Sequence, residues 1–166
     1  MGVNILGSYN ITIANMEICD NWGDGIYLGY TNGTGCHDVN IINCNVHYNR
    51  RNNITITHCD NVLIDGCTVI NARGVEPQAG ICIEPNKENG IYHVCDNIYI
   101  KNTTITTPEK SNWRYRSYHA YNGENKQITS NVVFDNCRGT GWFSNWYQPR
   151  PGFINGTVID GYYDGP

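Results

Sequence analysis

The sequence predicts an all-β solenoid of short parallel strands, on three observations. A short motif recurs along the chain at intervals of two to three dozen residues, the mark of a repeat architecture. The 166 residues include 24 Asn, 20 Ile and 18 Gly but only 3 Leu and 4 Ala, so β-branched residues abound while the best helix formers are nearly missing. An Asn or Gly recurs at a fixed place inside each copy, where these residues tolerate a left-handed bend.

The elements follow in order. Gly2–Leu6 reads as a strand, and four longer segments align without gaps: Asn10–Cys19, Asp38–His47, Asn61–Ile70 and Asn97–Thr106. A fifth, Asn131–Gly139, keeps most of the pattern. Alternate aliphatics in each give a strand with one buried face, interrupted by the central Asn or Gly. A second strand follows the first three copies, within 25–29, 53–57 and 80–84. A strand is also expected over Phe153–Ile159. Short strands joined by bends, with loops of unequal length, predict a right-handed parallel β-helix of about five or six coils. At strand spacing such a stack is roughly 25–30 Å long. The repeat covers about residues 2–161, so 1–166 is read as a single domain. The chain starts in mid-coil and has no amphipathic capping helix. It is therefore expected to be a fragment of a longer chain, without caps of its own, whose open ends self-associate or pack on neighbours.

On this repeat the sequence resembles the right-handed parallel β-helix proteins of the pectate-lyase-like superfold. The resemblance implies polysaccharide lyases, polygalacturonase-type hydrolases, uronan epimerases or phage tailspikes, among which fold alone does not choose. Asp24-Gly25-Ile26 is similar to the Asn-Thr-Asp-Gly-Ile element of polygalacturonases, but Trp22-Gly23 stand in place of Asn-Thr. The Arg-x-Pro-x-x-Arg element of pectate lyases and the Asp-Pro-His-Glu element of mannuronan epimerases do not occur, so none of these activities carries over. Asn49–Arg51 followed by Gly80–Asn86 resembles the pattern of uncharacterised bacterial and phage β-helix proteins.

The eight cysteines lack a CxxC pair, and no Cys/His spacing matches a zinc site. Cys44, Cys67 and Cys137 share one repeat position with Met16 and Thr103, and are expected as reduced thiols pointing inward. Cys82, between inward Ile81 and Ile83, is expected to be an exposed thiol.

The residues that depart from the repeat are candidates for function. Aligning Ile26, Ile54 and Ile81 stacks Asp24 on Asn52 and Ala79, and Gly23 on Arg51 and Gln78. It stacks Trp22 on Arg50 and Pro77. Asp24, Arg51 and Glu84 are the candidate catalytic residues, because paired carboxylates serve glycosidic bonds and Arg can bind a uronate or support proton abstraction beside it. Trp22, Tyr27, Arg50, Gln78 and Asn86 are candidate substrate-binding residues. Tyr30 and Tyr48 offer further flat faces for sugar rings. The competing reading is structural: Asp24 makes a turn, and an Arg neutralises charge between coils. No cofactor is called for. Calcium, used by many lyases of the superfold that the repeat resembles, has its candidate ligands in Asp20, Asp24 and Glu84, which form no dense acidic cluster in the sequence. The stretch Asn112–Tyr121 breaks the repeat, and its aromatics and arginines, with Trp142, Trp146 and Tyr147, fit a packed loop or interface better than a binding platform.

Net charge is −4, which argues against nucleic acid as a partner, and no apolar run is long enough to span a membrane. No signal peptide is visible; a fragment of a longer chain would suit an extracellular or virion-associated setting. The expected partner is a polysaccharide. The leading expectation is a carbohydrate-active module that binds an acidic polysaccharide and could cleave it as a lyase or glycoside hydrolase. The alternative is a non-catalytic structural or adhesin segment, such as a phage tail-fibre or surface-protein module.

Overall fold

The computed structural model describes residues 1–106, 116–120, 128–129, 131–140 and 142–145. Every regular element among them is a strand. In chain order they are β1 (Val3–Leu6), β2 (Tyr9–Ala14), β3 (Glu17–Cys19), β4 (Ile26–Gly29), β5 (Cys36–Ile42), β6 (Asn45–His47), β7 (Ile54–Ile56), β8 (Cys59–Asp65), β9 (Thr68–Ile70) and β10 (Ala79–Ile83). A short hairpin of β11 (Lys87–Glu88) and β12 (Ile91–Tyr92) precedes β13 (Val94–Lys101) and β14 (Thr104–Thr106). The last are β15 (Arg116–Ala120), β16 (Ile128–Thr129), β17 (Val132–Asp135), β18 (Arg138–Thr140) and β19 (Trp142–Asn145).

These strands form three parallel sheets. The first runs β1-β4-β7-β10-β15-β19 and the third β3-β6-β9-β14-β18. The second runs β2-β5-β8-β13, with β16 and β17 both pairing β13. Neighbours in one sheet are separated along the chain by a strand from each of the other two. In-register columns of aliphatics result: Val3–Ile26–Ile54–Ile81 in the first sheet and Ile18–Val46–Val69–Ile105 in the third. The second sheet has Ile13–Ile41–Ile64–Ile100–Phe134. One core cluster draws on all three sheets. Each fully buried Ile contributes about 1.5–3 kcal/mol by leaving water.

Left-handed residues set the corners between the sheets. Within the second sheet, positive φ recurs inside β2, β5, β8 and β13 at Asn10, Asp38, Asn61 and Asn97, and just ahead of β17 at Asn131. Passage from second to third sheet is marked by Asn15, Asn43, Gly66, Asn102 and Asn136, and departure from the third by Asp20, Tyr48 and Asn71. Asn and Asp visit this region at least cost among residues with a Cβ. Their side chains then link repeats: Asn61 donates to Asp38, Asn97 to Asp60, Asn131 to Asp96 and Asn136 to Asn102.

The cysteines build two columns. Cys44 and Cys67 are buried, Cys137 half-buried, and Thr103 takes the same place between them. The Cys44 N–H donates to the Cys67 sulfur and the Cys67 N–H to Thr103 Oγ1, while the thiols donate to carbonyls such as Ile41 and Ile100. The column therefore satisfies backbone groups that the corner leaves without ladder partners, which explains why Thr substitutes for Cys. Met16, expected inward at this position, is exposed; it precedes β3, which pairs with β6 alone, so this repeat is covered on one side among the described residues. The second column, Cys36–Cys59–Cys95, lies in register in the second sheet and is buried throughout.

Two further expectations need correction. Cys82 points away from the core cluster, yet it is fully buried rather than exposed. Arg116–Ala120, in the stretch read as breaking the repeat, is β15 and supplies the next strand of the first sheet, against β10. The readings of Trp113, Trp146, Tyr147 and the strand over Phe153–Ile159 fall outside the described residues.

The thiols make a first prediction. Burial pushes Cys67 up to about 11 and Cys95 up to about 12, whereas the Cys59 hydrogen bond holds Cys36 down at about 6, and there it is lack of access, at 2% exposure, that protects the thiol. A disulfide-exchange reagent at pH 8 should titrate only Cys19 and Cys137 in the native protein, with Cys36, Cys44, Cys59, Cys67, Cys82 and Cys95 reacting after denaturation. Rapid titration of all eight would contradict the buried columns.

The histidines make a second. His58, His93 and Tyr30 pack ring on ring at 4.6–5.7 Å. Among the described residues, His58 Nδ1 and both nitrogens of His93 have no hydrogen-bond partner. Burial lowers the pKa of both rings, aided at His58 by His93 and opposed at His93 by Glu88. Unfolded histidine, with a pKa of about 6.5, then takes a proton before the folded ring does. The stability from this stack is complete above about pH 6.5 and is lost as pH falls toward the folded values. The urea midpoint should drop between pH 7.5 and 5, and His93→Phe should flatten that drop.

Candidate functional site

The loops that join the third sheet to the first carry Trp22, Asp24, Arg50, Arg51 and Gln78, while Tyr27 lies on β4 and Glu84 and Asn86 follow β10; the residues that converge fall into two separate groups. The framework beneath both is a buried amide network. Asn49 Nδ2 donates to Asn53 Oδ1 at 2.9 Å and to the Ile18 carbonyl at 3.2 Å, while Asn49 Oδ1 accepts from Asn21 Nδ2 at 2.8 Å. Asn53 Nδ2 continues to the Ile70 carbonyl at 2.8 Å. Asn49, Asn52 and Asn53 are fully buried, so these bonds replace water for groups that would otherwise be costly to bury.

The first group is Asp24, Arg51 and Glu84. Pairing of Ile26 with Ile54 and of Ile54 with Ile81 sets Asp24 beside Asn52 and Ala79. Asp24 Oδ1 accepts the Asn52 N–H at 3.0 Å, and the Ala79 N–H donates to Asn52 Oδ1 at 2.9 Å. Asp24 Oδ2 takes Arg51 Nη1 at 3.2 Å, and Arg51 Nη2 reaches Glu84 Oε2 at 3.1 Å. One guanidinium thus bridges two carboxylates from different repeats. Burial would lower the Arg51 pKa, but Asp24 first and Glu84 second outweigh it, and the pKa is raised. Asp24 is 1% exposed and both its oxygens are engaged, whereas Arg51 is 33% and Glu84 27% exposed. The thiol of Cys82 lies 3.8 Å from the same Glu84 oxygen.

The second group surrounds an open depression of about 280 Å³ lined by Asp20, Asn21, Trp22, Tyr48, Arg50 and Arg73. Backbone bonds from Arg50 to Asn21 at 3.0 Å and from Arg73 to Asn49 at 2.9 Å bring three successive repeats into line. Arg50 lies over the Trp22 ring at 4.9 Å and Arg73 over the Tyr48 ring at 4.3 Å. Trp22 is 82% exposed. Gly74 permits the close approach: a Cβ there would meet Arg50 Cγ at 2.7 Å, and its φ is +131°. Asp20 Oδ1 stands 3.6 Å from Arg73 Nη2, leaving two guanidinium groups against one carboxylate around the depression.

Of the substrate-binding candidates, Trp22 and Arg50 meet here. Tyr27 is elsewhere, its hydroxyl accepting from Thr57 Oγ1 at 3.2 Å. Gln78 is buried at positive φ. Asn86 is exposed, and its carbonyl accepts the His93 N–H. Tyr30 is buried in the histidine stack. The calcium candidates do not converge: Asp20 lines the depression, while Asp24 and Glu84 both face a guanidinium, a cation already in the place between them. Sequence reasoning missed Arg73 and Asn21 as lining residues. Arg73 follows the third copy at the same distance, three residues, as Arg50 follows the second, but nothing in its own neighbourhood marks it.

No family model matches the chain, and no solved structure matches it. Among curated proteins it is similar to the SPbeta prophage-derived uncharacterized protein YorA of Bacillus subtilis (strain 168), with 33% identity over 99 residues, 54% of this chain and 17% of that protein. It is also similar to the uncharacterized protein YclG of the same strain, with 36% identity over 111 residues, 61% of this chain and 19% of that protein. The chain thus spans under a fifth of the length of either relative.

The ion bridge yields a prediction about stability. Arg51→Ala strands the buried Asp24 carboxylate and should cost about 3 kcal/mol. Glu84→Gln removes a partly exposed partner and should cost under about 1 kcal/mol. Equal losses in urea unfolding would contradict the difference in burial.

Proposed function

We propose that the chain winds as a right-handed parallel β-helix of the pectate-lyase-like superfold and binds an acidic polysaccharide across its lateral face. The rotation of the chain through three parallel sheets that share one core supports the winding. The observation that carries the binding is the depression in which Arg50 lies over Trp22 and Arg73 over Tyr48. Aromatic faces suit the apolar face of a sugar ring, and guanidinium groups suit uronate carboxylates. The depression is open and just under the usual volume of a small-molecule pocket. It fits one ring of a polymer lying across the surface rather than an enclosed ligand.

The reading is binding in preference to cleavage. Asp24 is covered and doubly hydrogen-bonded, and the Arg51 charge is already shared between two carboxylates, so neither is free to act as acid, base or nucleophile on a sugar. Of the three residues expected to be catalytic, Glu84 is the one with an exposed carboxylate not also held by a backbone N–H.

A second reading, a non-catalytic structural segment of a phage or surface protein, draws on the relative whose name describes it as prophage-derived. It differs in expecting no saccharide ligand and association of copies in light scattering.

Affinity electrophoresis through polygalacturonate or alginate, with dextran as the neutral control, separates these readings. The acidic gels should retard the protein, and Trp22→Ala or Arg50→Ala should each weaken retention at least about tenfold with unchanged thermal midpoints. Equal mobility in all gels would overturn the binding reading. Accumulation of reducing ends or unsaturated uronate, abolished by Glu84→Gln, would restore cleavage.

A further inference from the structure

We propose that Glu17, Cys19 and His47 form a zinc-class metal site on the outer face of the third sheet. Glu17 and Cys19 are two residues apart on β3, so both side chains leave the same face of the strand. His47 lies on β6, in register with Cys19 across the parallel pair. The residue between the two ligands of β3, Ile18, is buried in the core, which fixes the outward direction of both.

One oxygen, one sulfur and one nitrogen therefore converge. Their donor atoms all lie within 4.8 Å of one another, and His47 Nε2 is 3.0 Å from Glu17 Oε1. A tetrahedral zinc ion, at about 2.0–2.3 Å from such donors, needs them roughly 3.2–3.8 Å apart. Glu17 is exposed and Cys19 partly so, which leaves their side chains room to rotate toward that spacing.

The donor types select the metal. Thiolate and imidazole favour zinc or a neighbouring borderline-soft ion, whereas calcium and magnesium want oxygens alone. A glutamate and a metal-bound thiolate together balance a divalent charge, and coordination removes the thiol proton outright. Three protein ligands leave a fourth position for water, the arrangement of open rather than closed zinc sites. The residues that follow Cys19 and His47 in the chain, Asp20 and Tyr48, line the depression described above. The metal reading does not depend on the saccharide reading, and each has its own readout.

Cobalt(II) reports on the site directly, because thiolate ligation gives an intense near-ultraviolet charge-transfer band. Titrating the whole reduced chain should produce this band with a stoichiometry of one ion per chain, and zinc should displace it. Cys19→Ser should abolish the band, and His47→Gln should weaken cobalt binding at least about tenfold, with thermal midpoints in metal-free buffer unchanged. Cys137→Ser, at the other half-buried thiol, should leave the band intact. Absence of the band in the unaltered protein, or its persistence in Cys19→Ser, would overturn the proposal.

Discussion

Everything in this fold depends on the left-handed corner. Neighbouring strands of all three sheets run parallel and in register, and the bend between the second sheet and the third recurs in each repeat. Asn15, Asn43, Gly66, Asn102 and Asn136 adopt nearly the same positive φ, so each repeat turns by the same geometry and the next lands in register on it. Asparagine serves better than glycine at most of these places. It accepts the conformation at modest cost and also supplies an amide that bonds to the neighbouring repeat, as Asn102 does to Asp65 and Asn136 to Asn102. The core columns share that register: Ile64 lies between Ile41 on one side and Ile100 on the other.

The same logic explains the polar interior near the candidate site. At the third corner the chain carries wide loops, and their backbone groups cannot all join a ladder. Asn49, Asn52 and Asn53 take over that role from inside. Arg51, next in line, is oriented by this framework toward Asp24 and Glu84, while Arg50 is turned the opposite way onto Trp22. Adjacent arginines thereby acquire different work, one in cohesion between repeats and one on the surface.

Most of the strand pattern was legible in the sequence, because inward aliphatics alternate and bend residues recur at fixed offsets. The pairing of Asp24 with Asn52 and Ala79 followed from aligning Ile26, Ile54 and Ile81 alone. Other features were written less plainly. The column Cys36–Cys59–Cys95 is announced by Cys36-His-Asp-Val39, Cys59-Asp-Asn-Val62 and Cys95-Asp-Asn-Ile98, a pattern visible only if the motif is begun two residues earlier. β15 was hidden because Arg116–Ala120 lacks the aliphatic alternation of its neighbours. The groups that converge on the surface were hardest to foresee: Arg73 and Asn21 meet across repeats, and so do His47 and Cys19, at separations no local spacing rule covers.

The repeats are not equal in length. Cys44 and Cys67 are 23 residues apart, whereas Cys67 and Thr103, at the equivalent position, are 36 apart. The added residues include the β11–β12 hairpin, which leaves the first sheet after β10 and rejoins the second at β13 with Cys95 still opposite Cys59. The ladder is therefore indifferent to how much chain is inserted at this edge. Under selection, such a junction tolerates insertion and deletion while the strands tolerate neither, so new lateral surface can be acquired there without refolding the rest.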